Sequence, residues 1–369
     1  MQFIDLKTQS NRIESRLIER FKDVLNHGAY IMGPEITELE QSLAKFVGVD
    51  HALAVSSGTD ALLIALMALG VGHGDEVITT PFSFFATAEV IALLGAKPVF
   101  VDIKPDTYNI DAAQIEAVIS DKTKAIMPVS LYGQCADIDK INEIAKKYKL
   151  AVIEDAAQSF GETYKDRKSC GLTTIGCTSF FPSKPLGGYG DSGACFTNDA
   201  ELAGHMSEIR THGQSQRYCH TRLGINGRMD TIQAAILLEK LAIFPEEVNL
   251  RHEVAARYNE LLPKEIRKPL VKSHNTSVFA QYTIEVADRE IVQKKLHEKG
   301  IPTAVHYPVG LHQQPIMKDL HSDQQYFPKT EWAASRVMSL PMHPYLTAED
   351  QQKICSAVQE IMEIDMKVA

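Results

Sequence analysis

Lys184 is the residue of this chain best placed for covalent chemistry. It lies in TSFFPSKPLGGYGDSGACF, after Phe180 and Phe181 and ahead of Gly187, Gly188 and Gly190. With 38 Lys and Arg residues in the chain, any one of them is by default a solvated surface charge. Apolar flanks lower an amine pKa by desolvation, a neutral amine attacks carbonyl carbon, and glycines let the backbone approach a bound ligand closely. Upstream, Asp155 falls at the carboxyl end of the apolar strand expected over Leu150 to Ile153. A Schiff-base lysine and an aspartate holding a ring nitrogen protonated are the pair that pyridoxal phosphate (PLP) chemistry requires. Gln158 could donate to the ring's phenolic oxygen. Taken alone, Asp155 reads equally well as a strand-end carboxylate satisfied by its own backbone.

Other residues become informative only beside that pair. SSGTDA, Ser56 to Ala61, sets small hydroxyl residues and a glycine where a helix begins, and exposed amides at a helix start suit a phosphate monoester. An ordinary Ser/Thr N-cap explains the same letters. Ser179 and Asn226 could add donors to that anion. Phe84, in TTPFSFFATAE, could stack on an aromatic ring, although a lone aromatic is more often core. Gly188, Gly190 and Gly193 spell GxGxxG, but the fingerprint of dinucleotide binding must open a helix. Here ACFTND follows and reads as a strand, so a nicotinamide site is rejected.

The elements that must position these residues alternate along the chain. Strands are expected at Ala52 to Val55, Glu76 to Thr79, Lys97 to Val101, Ala125 to Val129 and before Asp155, with helices at Glu35 to Phe46, Ala61 to Leu69, Ala86 to Leu94 and Ile138 to Tyr148. Near-continuous apolar strands separated by helices indicate a mostly parallel sheet covered on both faces, with ligands gathered at the carboxyl ends of its strands. Thr59, Asp155 and the Lys184 turn all fall at or beyond such ends. A long helix from about Met229 past Pro245 to Leu262 leads to a C-terminal unit with a strand over Phe279 to Val286 and a helix over Glu290 to Lys299. The expected division is an arm over residues 1–20, a large ligand-binding domain over 21–245 and a small domain over 246–369.

Composition narrows the class. At 369 residues, 44% of them hydrophobic, the chain can bury a large core and a smaller one. A net charge of −9 argues against a nucleic-acid surface. MQFIDLKTQS lacks the apolar run of a signal peptide, and Ala61 to Leu69 is too short to span a bilayer. The six cysteines form no CxxC pair or metal spacing, as expected of buried free thiols in a reducing cytoplasm. Neither a membrane nor a nucleic acid is an expected partner.

Taken together, FIDLKTQ, YIMGPEITELE, SGTDAL, VSLYGQCADID, IEDAAQSFG, SFFPSKPLGGYGDSGA, PTAVHYP and MSLPMHPYL resemble the DegT/DnrJ/StrS sugar aminotransferases over nearly the whole chain. The resemblance implies an α/β fold-type I PLP enzyme, like aspartate aminotransferase, with a seven-stranded mostly parallel sheet and a smaller C-terminal α+β domain. Lys184 then resembles the Schiff-base lysine, and Asp155 and Gln158 the residues that hold the ring. Gly58, Thr59 and Ser179 resemble the phosphate-binding positions, with Asn226 reaching in from a second subunit. Arg228, His306 and Tyr307 resemble nucleotide-sugar contacts, Arg228 again across a dimer interface. Phe84 departs from the tyrosine common at its position; stacking survives, but a phenolic hydrogen bond does not.

SFFPSKPLG, GQCAD and PTAVHYP look most like the branch acting on UDP-2-acetamido-2-deoxy-3-oxo-glucuronate for bacterial surface polysaccharide (O-antigen). That implies transfer of the amine of L-glutamate, through pyridoxamine phosphate, to C3 of a UDP-linked 3-keto sugar acid, with Lys184 as nucleophile and proton carrier. Transfer to another 3- or 4-keto nucleotide sugar is an alternative within the family, and a PLP-dependent dehydratase is the nearest rival. Related dehydratases carry histidine in place of this lysine, and a non-catalytic PLP-fold sensor would be expected to have lost Lys184 or Asp155.

Overall fold

The computed structural model describes residues 1–320 and 326–368. Seven apolar segments form one sheet: β1 (His51–Val55), β2 (Glu76–Thr79), β3 (Lys97–Phe100), β4 (Thr123–Met127), β5 (Ala151–Asp155), β6 (Ile175–Ser179) and β7 (Gly193–Thr197). Their order across the sheet is β1-β7-β6-β5-β4-β2-β3. β7 runs antiparallel to both of its neighbours, whereas the remaining pairs are parallel. The sheet is mostly parallel and buried on both faces, as continuous apolar strands require.

Strand alternation sorts side chains between two helical layers. Leu53, Val55, Val77, Ile153 and Cys195 face α3 (Gly58–Ala68) and α4 (Ala86–Leu93). Ala52, Ala54, Ala194 and Phe196 face α2 (Pro34–Val47) and the helix Thr231–Leu261, while Ile78, Ile126 and Val152 meet the helix Ile138–Tyr148. α2 begins with Pro at its first position and stops at Gly48, whose φ of 83° suits a residue without Cβ. The first helix, α1 (Leu6–His27), reaches beyond residue 20 and packs Ile13 and Leu17 on Ile236.

A second core forms around the antiparallel strands Tyr282–Glu285 and Val337–Leu340. It includes Val254 and Tyr258 from the far half of the helix Thr231–Leu261, with Leu296, Ile354 and Val358. That helix runs through Pro245 and serves both cores. The strand starts at Tyr282 rather than Phe279 because Phe279 has a φ of 42°, outside extended geometry. β4 stops before Pro128, two residues short of the expected end. All six cysteines are free, and five are buried; Cys219, on a short hairpin, is partly exposed. Among the described residues no helix is long and apolar enough to cross a membrane.

Two connections matter most for function. At its carboxyl end β1 passes directly into α3, and β6 leaves the same edge as the Lys184 loop, which returns as β7. The GxGxxG letters therefore end in a reversed strand, in agreement with their rejection as a dinucleotide motif.

Candidate active site

A cavity of about 520 Å³ opens at the carboxyl ends of the strands. Gly58, Thr59, Phe84, Asp155, Gln158, Ser179, Lys184, His306 and Tyr307 all line it. Thus β1–α3, β2–α4, β5, the lysine loop and the C-terminal unit meet at one place. Asn226 and Arg228 are not on its wall. Asn226 is exposed and bridges Thr211 through its backbone; Arg228 bridges Val55, and its buried Nε has no partner within the described chain.

Lys184 and Asp155 perturb each other across this space. Burial pulls the Lys184 amine below its ordinary range, and the negative charge of Asp155 opposes that shift. Burial pushes the Asp155 carboxyl up, opposed by the Thr87 hydroxyl, the Ala157 amide and the Lys184 charge. Thr87 Oγ1 donates to Asp155 Oδ2 at 2.8 Å, and the Ala157 amide to Oδ1 at 3.2 Å. The result is a more nucleophilic amine beside a carboxyl group suited to a cationic nitrogen.

The opposite end of the cavity suits an anion. Ser57 caps α3, accepting from the Asp60 amide at 3.0 Å. The capping reading of SSGTDA is therefore right for Ser57. It leaves the amides of Gly58 and Thr59, in the first turn, without intrahelical acceptors. A Cβ on Gly58 would stand 2.5 Å from the Cβ of Ser179, so β6 and the start of α3 approach as only glycine permits. Ser179 Oγ accepts from the Phe181 amide at 3.2 Å, which ties the strand end to the lysine loop.

Gln158 is held from both sides: its Oε1 accepts from the Tyr132 amide at 2.9 Å, and its Nε2 donates to the Tyr307 hydroxyl at 3.0 Å. Tyr307 in turn lies 6.3 Å from Phe84, whose ring stands 57% exposed at the mouth. Burial, then the Asp155 charge, push the Tyr307 phenol upward, with the Gln158 bond opposing. His306 Nδ1 is 3.0 Å from Ser339 Oγ. Burial and the nearby Lys184 charge lower its pKa to about 4, so at neutral pH the imidazole is an uncharged hydrogen-bonding group.

Several lining residues went unread in the sequence. Thr87 and Ser83 flank Phe84 in TTPFSFFATAE, and hydroxyls four apart at a helix start were the available signal. Gln281 and Asp191 also line the cavity, and their local sequence carries no such signal.

The family model of the DegT/DnrJ/EryC1/StrS aminotransferases matches residues 11–359. A protein of Pseudomonas aeruginosa described as UDP-2-acetamido-2-deoxy-3-oxo-D-glucuronate aminotransferase is 56% identical over 359 residues, 97% of this chain and 99% of that one. The crystal structure of a DegT DnrJ EryC1 StrS aminotransferase from Brucella abortus superposes with a TM-score of 0.94 at 44% identity, covering 98% of this chain and 99% of that one. DesV of S. venezuelae, solved in complex with a ketimine intermediate, gives 0.95 at 34% identity over 98% of both chains. Likeness of this extent, in sequence and in backbone alike, means that the chain belongs to the DegT/DnrJ/EryC1/StrS aminotransferase family, whose enzymes work with PLP.

Proposed function

We propose that this enzyme transfers the amino group of L-glutamate to C3 of a UDP-linked 3-keto sugar acid, UDP-2-acetamido-2-deoxy-3-oxo-D-glucuronate, in the cytoplasm, for bacterial surface polysaccharide. The convergence of Lys184, Asp155 and the α3 amides on one cavity carries the chemistry. The 56% identity to the P. aeruginosa enzyme supports the substrate.

The chain's residues fit PLP. The first-turn amides of α3, with Thr59 and Ser179, suit its phosphate; the buried Asp155 suits its ring nitrogen; and Gln158 and Tyr307 suit its polar edge. When bound, the cofactor accepts the electron pair left behind as a proton leaves the amino-bearing carbon. Lys184 Nζ, with its pKa lowered by burial, takes that proton and returns it to the neighbouring position. The Asp155 carboxylate would accept a hydrogen bond from the ring nitrogen and keep that nitrogen protonated. His306, neutral, offers a hydrogen bond to the substrate rather than a positive charge. Charge recognition of a carboxylate or diphosphate then falls to Arg228, which together with Asn226 reaches the site of a second subunit in a homodimer. The division into an arm (1–20), a large domain (21–245) and a small domain (246–369) belongs to the same reading, with His306 and Tyr307 of the small domain lining one side of the cavity.

The visible spectrum before and after L-glutamate tests this. Expected is a yellow protein that bleaches with glutamate, recovers its colour with the UDP-keto sugar acid, and in Lys184→Ala never acquires the glutamate-sensitive band. A protein that stays colourless when given PLP would sink the reading.

A further inference from the structure

A buried carboxylate keeps one orientation only when its oxygens are engaged. Asp155 is 5% exposed, with Oδ1 on the Ala157 amide and Oδ2 on Thr87 Oγ1. Thr87 is fully buried in the first turn of α4 and lines the cavity. Behind it, Ser83 Oγ lies 2.9 Å from Thr87 Oγ1 and is likewise buried. A threonine hydroxyl has one proton and two lone pairs. Because that proton goes to Asp155, Ser83 must be the donor to Thr87. The direction of the chain is thus fixed: Ser83 to Thr87 to Asp155. Consecutive donors polarise one another, so the last bond is strengthened by the first. Each Asp155 oxygen accepts one of these bonds and keeps a lone pair for a cationic N–H.

We propose that Thr87, backed by Ser83, is a positioning residue that holds the Asp155 carboxylate in place for the cofactor's ring nitrogen. This rests on the PLP reading above. The β2–α4 connection brings Ser83, the first turn of α4 brings Thr87, and the end of β5 brings the carboxylate. Thr87 acts through Asp155, so its loss changes how the carboxylate is oriented and how readily it ionises, leaving Lys184 in place.

The test is the dissociation constant of PLP, by equilibrium dialysis, across pH in the wild type, Thr87→Val, Thr87→Ser and Ser83→Ala. Thr87→Val keeps the side-chain shape and removes the donor. Losing one hydrogen bond to a charged group weakens binding roughly tenfold to a hundredfold. A bond to the ionised form also lowers a carboxyl pKa. The acid limb of PLP binding, where Asp155 becomes protonated, should therefore move to higher pH in Thr87→Val. Thr87→Ser should restore the wild-type curve, and Ser83→Ala should lie between. The other ionisable groups that interact electrostatically with Asp155 are Lys184, Tyr307, Cys177 and, from the far face of the sheet, Cys170. None of them is altered in these variants.

A purely structural role would weaken binding equally at every pH and leave the acid midpoint unmoved; that result overturns the proposal, as does a Thr87→Val curve equal to the wild type. Should Thr87→Val fail to fold, Ser83→Ala reads the same midpoint, and no upward shift there overturns it equally. A wild type that binds no PLP at any pH fails differently, because it removes the cofactor reading itself.

Discussion

Adjacent carboxylates on β5 have different surroundings. Asp155 faces the cavity. Glu154, on the other face of the strand, accepts from Ser130 Oγ at 2.7 Å, Ser169 Oγ at 2.9 Å and the Cys170 amide at 2.8 Å. Near it lies Glu162, 1% exposed, with both carboxyl oxygens lacking a partner within the described chain. Burial raises the Glu162 pKa well above the usual range; the nearby Cys135 opposes the shift, the Glu154 charge adds to it, and the Lys168 charge opposes it more weakly. A carboxyl raised in the folded state stabilises fully below its unfolded pKa, and that stability is lost as pH climbs through the folded value. Each pH unit in that window removes about 1.4 kcal/mol. Glu162→Gln, which mimics the protonated acid, should thus be more stable than the wild type at pH 8, and the gap should close near pH 4. Urea unfolding at the two pH values measures it; equal midpoints at pH 8 would show Glu162 to be ionised at no cost. Local sequence exposed Lys184 and Asp155 because their flanks carry the signal. It hid Thr87 and the surroundings of Glu154, because those contacts join residues 68 positions apart for Thr87 and Asp155, and 24 for Ser130 and Glu154.

At the scale of elements, the site is made by turns at one edge of a sheet. Strand and helix positions were legible because apolar periodicity is local, and their ends were less so because single residues set them: Pro128 for β4, and the backbone of Phe279 for the strand that follows it. The tight approach of α3 to β6 was not legible at all. SSGTDA shows a helix start, but not that Ser179 stands against Gly58. Gly58→Ala would set a Cβ 2.5 Å from that of Ser179, closer than real Cβ contacts come, so the start of α3 must shift. Overpacking of this kind costs about 1–3 kcal/mol. The first-turn amides move with it, and PLP affinity should fall by at least about tenfold, since each lost hydrogen bond to a charged group is worth that much. Inorganic phosphate, competing for the same amides, should slow the rebinding of PLP to the apo variant less than it slows rebinding to the apo wild type. Unchanged affinity would mean that the phosphate is held elsewhere.

At the scale of the whole molecule, one chain leaves the site open. Phe84 and Phe181, both on the cavity wall, are 57% and 49% exposed, and Arg228 and Asn226 lie off that wall. Exposed aromatic side chains at the mouth of a cleft are suited to a contact face. In the proposed homodimer a second copy of the chain would cover it and deliver Arg228 and Asn226, an arrangement expected from the family resemblance alone, since nothing in the chain's own pattern says which copy a side chain serves. Co-expression of Lys184→Ala with Arg228→Ala puts this to the test. Lys184→Ala is expected to be inactive alone and Arg228→Ala severely impaired. Random pairing makes half of the dimers mixed. In each mixed dimer, one site joins an intact Lys184 from one chain to an intact Arg228 from the other, and its twin carries both defects. Activity should return to about a quarter of the wild-type value in a two-fold dimer with shared sites. If each chain completes its own site, no pairing can rescue it, and the mixture will show only the residual activity of its parts.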